Sequence, residues 1–229
     1  MNARWLRSTT GSARADTDPT FALRGALTTP QRKSWAALTE PKAFGALLRA
    51  IDGFEGQATT TAALKLLALL FPRPGELRAA HWSEFKLDEE VWIVPEARMK
   101  MRRPHRVPLS KQAVAILKDV QQLTGHGTLV FPSIRSVLCP MSENTLNAAL
   151  RRLGFTKDEM TSHGFRASAS SMLNESGLWH PDAIERQLAH VEENSVRRAY
   201  ARGEHWDERV RMMTWWADRL DELRAGNLK

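Results

Sequence analysis

The stretch from Thr59 to Phe71 constrains this chain more than any other, because it is apolar on almost every side and is followed at once by Pro72-Arg73-Pro74. A helix with no polar face cannot lie on a surface, so this stretch predicts a central helix that others must wrap. The prolines end or bend it. Arg73 then sits where a buried helix stops, and a charge there needs a partner or an anion. Glu76 can orient it. A buried Arg73–Glu76 pair with no other task is the simpler alternative.

The wrapping elements are legible from caps and apolar spacing. A helix over residues 41–51 opens on Pro41. Ser110 and Ser142 cap two more. Their buried stripes would be Ala113, Ile116, Leu117 and Val120, then Leu146, Ala149, Leu150 and Leu153. Pro181 opens a short helix carrying Ile184 and Leu188. Trp206, Val210, Met213, Ala217 and Leu220 mark a long C-terminal helix, packed on its own domain or on a neighbouring protomer. Between Glu84 and Leu109 the period shortens. Residues 91–94 and 105–109 predict a hairpin closed by a loop over 98–103, with residues 82–87 as a third strand. The expected class is mainly α (α+β), a helical domain with a small antiparallel three-stranded sheet. Residues 8–20 are small and polar, so 1–40 is expected to be a partly disordered arm or linker, and 41–229 one folded domain. No internal repeat is present.

Charge narrows the partner. Lys and Arg number 33 against 26 acids, a formal net charge of +7. Such a balance favours a polyanion, with nucleic acid ahead of an acidic membrane surface, although thinly spread charge would serve solubility alone. The one cysteine, Cys139, excludes an intrachain disulfide and a Cys-rich zinc site. The N-terminus lacks a signal peptide's apolar core, and the longest apolar run, residues 66–71, is too short to span a bilayer. A soluble, cytoplasmic protein is expected.

Chemistry-bearing residues are few. Residues 98–106 hold Arg98, Lys100, Arg102, Arg103, His105 and Arg106 with no acid, a concentration that suits phosphate contact or else a solvated loop. Tyr200 is the only tyrosine, beside eight Phe and eight Trp, and Arg197, Arg198 and Arg202 flank it. Neighbouring cations favour its phenolate, whereas a lone core aromatic is the bland reading. His163 and Arg166 share a helical face at a helix start. His190 ends Gln187-Leu188-Ala189-His190.

The ordered set Arg73, Lys100, His163-x-x-Arg166, His190 and Tyr200, with Arg73-Pro74-Gly75-Glu76-Leu77 and the 98–105 and 187–190 contexts, resembles the tyrosine recombinase (phage integrase) family, catalytic domain, of the genomic-island (P4-like) type. The resemblance runs from about Phe21 to the C-terminus. It implies a site-specific DNA recombinase that cuts and rejoins strands through a 3′-phosphotyrosyl intermediate. Tyr200 would be the nucleophile. Arg73 and Arg166 would clamp the non-bridging oxygens. Lys100 would protonate the leaving 5′-oxygen, His163 would shuttle the tyrosine proton and His190 would donate to the phosphate, with Glu76 supporting Arg73. Arg98, Arg102, Arg103, His105, Arg106, Arg197, Arg198 and Arg202 would contact DNA. No metal and no cofactor are implied, because the guanidiniums stand where Mg²⁺ stands in many nucleases. The implied partners are double-stranded DNA and a tetramer of protomers, with a monomer as the alternative for an isolated domain.

Two departures from the family pattern matter. Such relatives carry two DNA-binding segments before the catalytic domain, and residues 1–40 are too short for either, so weaker site choice is expected. Pro72 before Arg73 is unusual and could shift its backbone. Two other readings remain: a non-catalytic DNA-binding remnant or regulator, and a type IB topoisomerase-like enzyme.

Overall fold

The computed structural model describes residues 35–99, 103–190 and 204–227. Along them run α1 (Pro41–Asp52), α2 (Ala58–Leu70), α3 (Pro74–Arg78), β1 (Phe85–Lys86), β2 (Val91–Val94), β3 (His105–Pro108), α4 (Lys111–Thr124), β4 (Pro132–Ser133), β5 (Ser136–Pro140), α5 (Glu143–Arg152), α6 (Gly164–Ser176), α7 (Pro181–Gln187) and α8 (Trp206–Ala225). The class is the expected one, mainly helical with a three-stranded antiparallel sheet in the order β1-β2-β3.

Helix α2 is the axle. Leu64, Leu66 and Leu67 are fully buried, and α1, α4, α5, α6 and α8 all pack on it. Lys65 is its one cation and reaches outward to Asp52 at 2.8 Å. The predicted caps hold: Ser110 Oγ accepts from the Ala113 N–H at 3.3 Å, and Ser142 Oγ from the Asn144 N–H at 3.4 Å. Of the two expectations for the last helix, the structure shows self-docking. Trp216 of α8 lies against Phe44 and Phe71, and its indole N–H donates to the Ala68 carbonyl at 2.9 Å.

The buried face of α8 differs from the expected stripe. Met213, Ala217 and Leu220 are inside, but Val210 is 38% exposed, while Arg209, Met212 and Trp216 are buried. The face is turned by one position because Arg209 and Trp216 each find buried acceptors. Strand β1 is also shorter than predicted, at two residues. Residues 82–84 form a 3₁₀ turn instead. There Trp82 donates its backbone N–H to Thr128 and its indole N–H to Thr124, and the Glu84 carboxylate turns in to accept from Trp92 at 2.9 Å. The β4–β5 hairpin was not foreseen. Its apolar side chains Ile134, Val137 and Leu138 are exposed, so they show no in-out alternation.

Among the described residues no helix is long and apolar enough to cross a membrane. The predicted arm, residues 8–20, lies outside the described residues.

Candidate active site

The site forms where the central helix ends. Phe71 leaves α2 in the left-handed region, φ 40°, and Pro72 after it disfavours a return to the right-handed helical basin. Arg73 is extended, φ −65° and ψ 135°, and Pro74 starts α3. Pro72 therefore leaves Arg73 in a geometry that caps α3. The Glu76 carboxylate accepts from the Arg73 backbone N–H at 3.0 Å and from its guanidinium at 2.7 Å. This is the Arg73–Glu76 contact that the spacing predicts.

Arg166, on the first turns of α6, comes to the same place. Its Nη1 donates to the Phe71 carbonyl at 2.9 Å and its Nη2 to the Leu188 carbonyl at 2.6 Å. Arg73 Nη2 donates to the next carbonyl along, Ala189, at 3.2 Å. Two guanidiniums thus hang from consecutive peptides after α7. Burial, and then the charge of Arg73, lower the Arg166 pKa to about 10, so it stays protonated at neutral pH. Each guanidinium carries five donors in a fixed fork, and these contacts leave some of them for an anion.

Two imidazoles complete the cluster. The His190 ring contacts Arg166 Nη2 through Nε2 at 3.2 Å and Glu185 through Nδ1 at 2.8 Å. With Nδ1–H donating to Glu185, Nε2 accepts from Arg166. The Glu185 carboxyl is held below its usual range, first by the His190 hydrogen bond, against the opposing effect of burial. His163 stacks on Trp35, with centroids 4.6 Å apart and planes at 16°. Burial lowers the His163 pKa, and the charges of Arg166 and Arg73 lower it further, which keeps the ring neutral near pH 7. The next residue must be glycine: a Cβ on Gly164 would lie 2.3 Å from the Ala36 carbonyl oxygen. That carbonyl also accepts from the Thr161 N–H at 3.2 Å.

The structure therefore brings together Arg73, Arg166, His163, His190 and Glu76. Lys100, Arg102, Arg197, Arg198, Tyr200 and Arg202 lie outside the described residues. Of the other expected DNA contacts, Arg103 is exposed, but Arg98 and His105 point inward. Arg98 is a strut between the hairpin and α3. It donates to the Glu76 carbonyl at 3.1 Å and to the Ala79 carbonyl, and pairs with Glu84 at 2.5 Å. His105 is 7% exposed, and its Nε2 donates to the Gln187 carbonyl at 3.2 Å. Desolvation, then the charge of Arg209, lowers its pKa to about 3. Arg106 is exposed, yet its guanidinium lies over the Trp206 ring, 3.9 Å from the centroid.

Sequence reasoning missed Glu185, Trp35, Gln187 and Arg209. Glu185 and Gln187 carried a weak signal, since both fall within one or two turns of His190.

A helical body around one buried helix, with two guanidiniums and two imidazoles converging beside a small sheet, is the arrangement of the tyrosine recombinase class. The chain belongs to the phage integrase family, whose model matches residues 38–205. It is 44% identical over 220 residues to the integrase of Enterobacteria phage P4, covering 90% of this chain and 50% of that one. The chain spans about half the length of the relatives it matches. Among solved structures, the integrase of mycobacterium phage Brujita superposes with a TM-score of 0.59 at 18% identity, covering 90% of this chain and 68% of that one. A lambda integrase dimer bound to a COC′ core site gives 0.55 at 16% identity, over 79% of this chain and 52% of that one. A lambda integrase tetramer bound to a Holliday junction gives 0.54 at 18%, over 79% and 52%. At these identities the likeness is one of fold. Among the described residues, no group of three or more His, Cys, Asp or Glu could hold a metal ion.

Proposed function

We propose that this chain is the catalytic part of a site-specific recombinase acting on double-stranded DNA, with Tyr200 as nucleophile. The observation that carries the reading is the hanging of Arg73 and Arg166 from adjacent carbonyls, beside His163 and His190. Two planar forks match the equatorial oxygens of a phosphoryl transition state, where charge develops. The expected folded body, 41–229, would carry this site.

In this mechanism the Tyr200 hydroxyl attacks the scissile phosphorus and forms a 3′-phosphotyrosyl bond. Its proton passes to His163, whose neutral ring has a free lone pair to accept it. The bond from phosphorus to the 5′-oxygen breaks, and Lys100 protonates the leaving oxygen. His190 donates from Nε2 to the phosphate while Nδ1–H stays on Glu185. This requires the imidazolium, whose charge the Glu185 carboxylate faces. Attack by a second strand's 5′-hydroxyl reverses these steps and rejoins the backbone without ATP. Arg102, Arg103, Arg106, Arg197, Arg198 and Arg202 would contact DNA phosphates. A tetramer of protomers on the DNA is the working assembly by analogy with lambda integrase. The convergence of Arg73 with Arg166 speaks for an enzyme over a remnant with a displaced Arg73.

The test is a pool of nicked duplexes of randomised sequence, incubated with the protein in EDTA and run on a denaturing gel. A covalent adduct that disappears in Tyr200→Phe supports the reading. DNA binding with no adduct would point to a non-catalytic DNA-binding protein, and relaxation of supercoiled DNA without strand exchange to a topoisomerase-like one.

A further inference from the structure

Arg209 is the most completely buried charge among the described residues, 1% exposed in the first turn of α8. Among the described residues it makes no ion pair, and the charge of Glu204 offsets it only in part. Its Nε and Nη2 both donate to the Gln187 side-chain oxygen, at 3.0 and 2.7 Å, and Nη2 also reaches the Arg106 carbonyl at 2.5 Å. Burial lowers its pKa to about 10, with Arg186 adding to the effect, so it remains charged at neutral pH. A buried guanidinium whose hydrogen bonds to the described residues all go to neutral acceptors is a poor source of stability. Apolar residues of similar volume often do as well or better. Its position points to another role.

Gln187 begins the four-residue turn that builds the site. The Gln187 carbonyl accepts from His105 at 3.2 Å, the Leu188 carbonyl from Arg166 at 2.6 Å and the Ala189 carbonyl from Arg73 at 3.2 Å. His190 follows with its imidazole on Arg166 and Glu185. Ala189 holds φ at 49°, a conformation that costs an L-residue energy and persists only where surrounding contacts impose it. The side chain of Gln187 is the turn's tie to α8, and Arg209 is what holds it.

We propose that Gln187 and Arg209 are positioning residues: by tying the first turn of α8 to the 187–190 turn, they fix the carbonyls that aim Arg73 and Arg166 and the place of His190. The anion clamp is then complete only when α8 is docked, and α8 directly follows the 191–203 segment that contains Tyr200. The inference rests on reading the cluster as a phosphate clamp. Its test needs no DNA, so it can fail independently of the recombinase reading.

The experiment titrates the protein with inorganic phosphate and follows the His190 and His163 ring nitrogens by ¹⁵N NMR. Thermal unfolding is measured on the same samples. Arg209→Lys can satisfy only one of the two acceptors. It should weaken phosphate binding on the order of tenfold, the worth of one charge-assisted hydrogen bond, and should move the His190 signals. Gln187→Glu keeps the acceptor and should bind close to wild type. The paired variant Gln187→Leu with Arg209→Met removes the stranded Gln187 amide and leaves only the Arg106 carbonyl without its donor, so it should regain part of the thermal stability lost in Arg209→Met alone while binding phosphate as weakly as Arg209→Lys. Wild-type affinity and wild-type His190 signals in folded Arg209→Lys would overturn the proposal and leave a purely structural role. So would full affinity in the paired variant. If wild-type protein forms no adduct with DNA yet shows this pattern with phosphate, the positioning role stands and the recombinase reading falls.

Discussion

Arg166 and Arg209 are nearly the same object electrostatically. Both are buried enough to bring the pKa down to about 10, with burial as the first cause, and both donate to neutral oxygens. They differ in what stands beside them. Arg166 has Arg73 as its nearest like charge, with His190 on its edge. Arg209 is sealed in, with Trp206 beside it, its guanidinium carbon 5.8 Å from the ring centroid. Bringing two cations together at an edge that solvent can reach is favourable only where an anion will come, whereas Arg209, with Arg186 as its own like-charged neighbour, is closed over an amide and holds the turn. A perturbed pKa therefore marks a candidate, and the neighbours decide what it is a candidate for.

That contrast can be broken most sharply by truncating both. Arg166→Ala should slow adduct formation by roughly 3 to 4 kcal/mol of transition-state stabilisation, a hundredfold to a thousandfold, as for loss of an oxyanion donor. Its urea midpoint should fall by less than that of Arg209→Ala, because water can reach the part-buried site and replace the donors that the Phe71 and Leu188 carbonyls lose. Arg209→Ala strands the Gln187 oxygen and the Arg106 carbonyl, and should cost about 3 to 5 kcal/mol in urea unfolding. If the two variants exchanged these signatures, the distinction drawn here would be lost.

A smaller effect separates the regions by pH. The His105 pKa falls from 6.5 to about 3 on folding, so the unfolded chain binds this proton more readily than the folded one. Stability from this group is fully present above about pH 6.5 and is lost as pH falls toward the folded value. The loss is about 2 kcal/mol by pH 5 at 1.36 kcal/mol per unit. Urea unfolding against pH should show this slope, and His105→Gln should flatten it. On the open side, Trp35→Ala removes the ring that desolvates His163. Its NMR titration should then move back toward the ordinary histidine value, with a stability change of about 1 kcal/mol. An unmoved His163 titration would show that the stack does not control the ring. Least of all, Ala189→Gly relieves the positive φ and should raise stability by at most about 1 kcal/mol.

How much of this was legible beforehand follows the same division. The wrapping helices announced themselves because their stripes and caps are local, as with Ser110 and Ser142. The Arg73–Glu76 contact was readable because three residues at a helix start must meet. Arg98 and His105 could not be separated from Arg103 by composition. Which side of the hairpin each faces depends on Glu84 and Gln187, both distant in sequence. Arg209 was invisible for the opposite reason, since a charge inside an apolar stripe looks like an interruption of it. The resemblance to a known family supplied the ordered set of site residues, and the structure added the turn at 187–190 on which three of them, Arg73, Arg166 and His190, meet.

The central claim is that Arg73, Arg166, His163 and His190 form one phosphate site served by Tyr200. Mass spectrometry of the digested adduct from the randomised nicked pool tests it most directly. The account predicts a nucleotide-bearing peptide containing Tyr200, formed in EDTA by wild-type protein and not by Arg166→Ala over the same time. An adduct on another residue, or one formed equally well without Arg166, would contradict it.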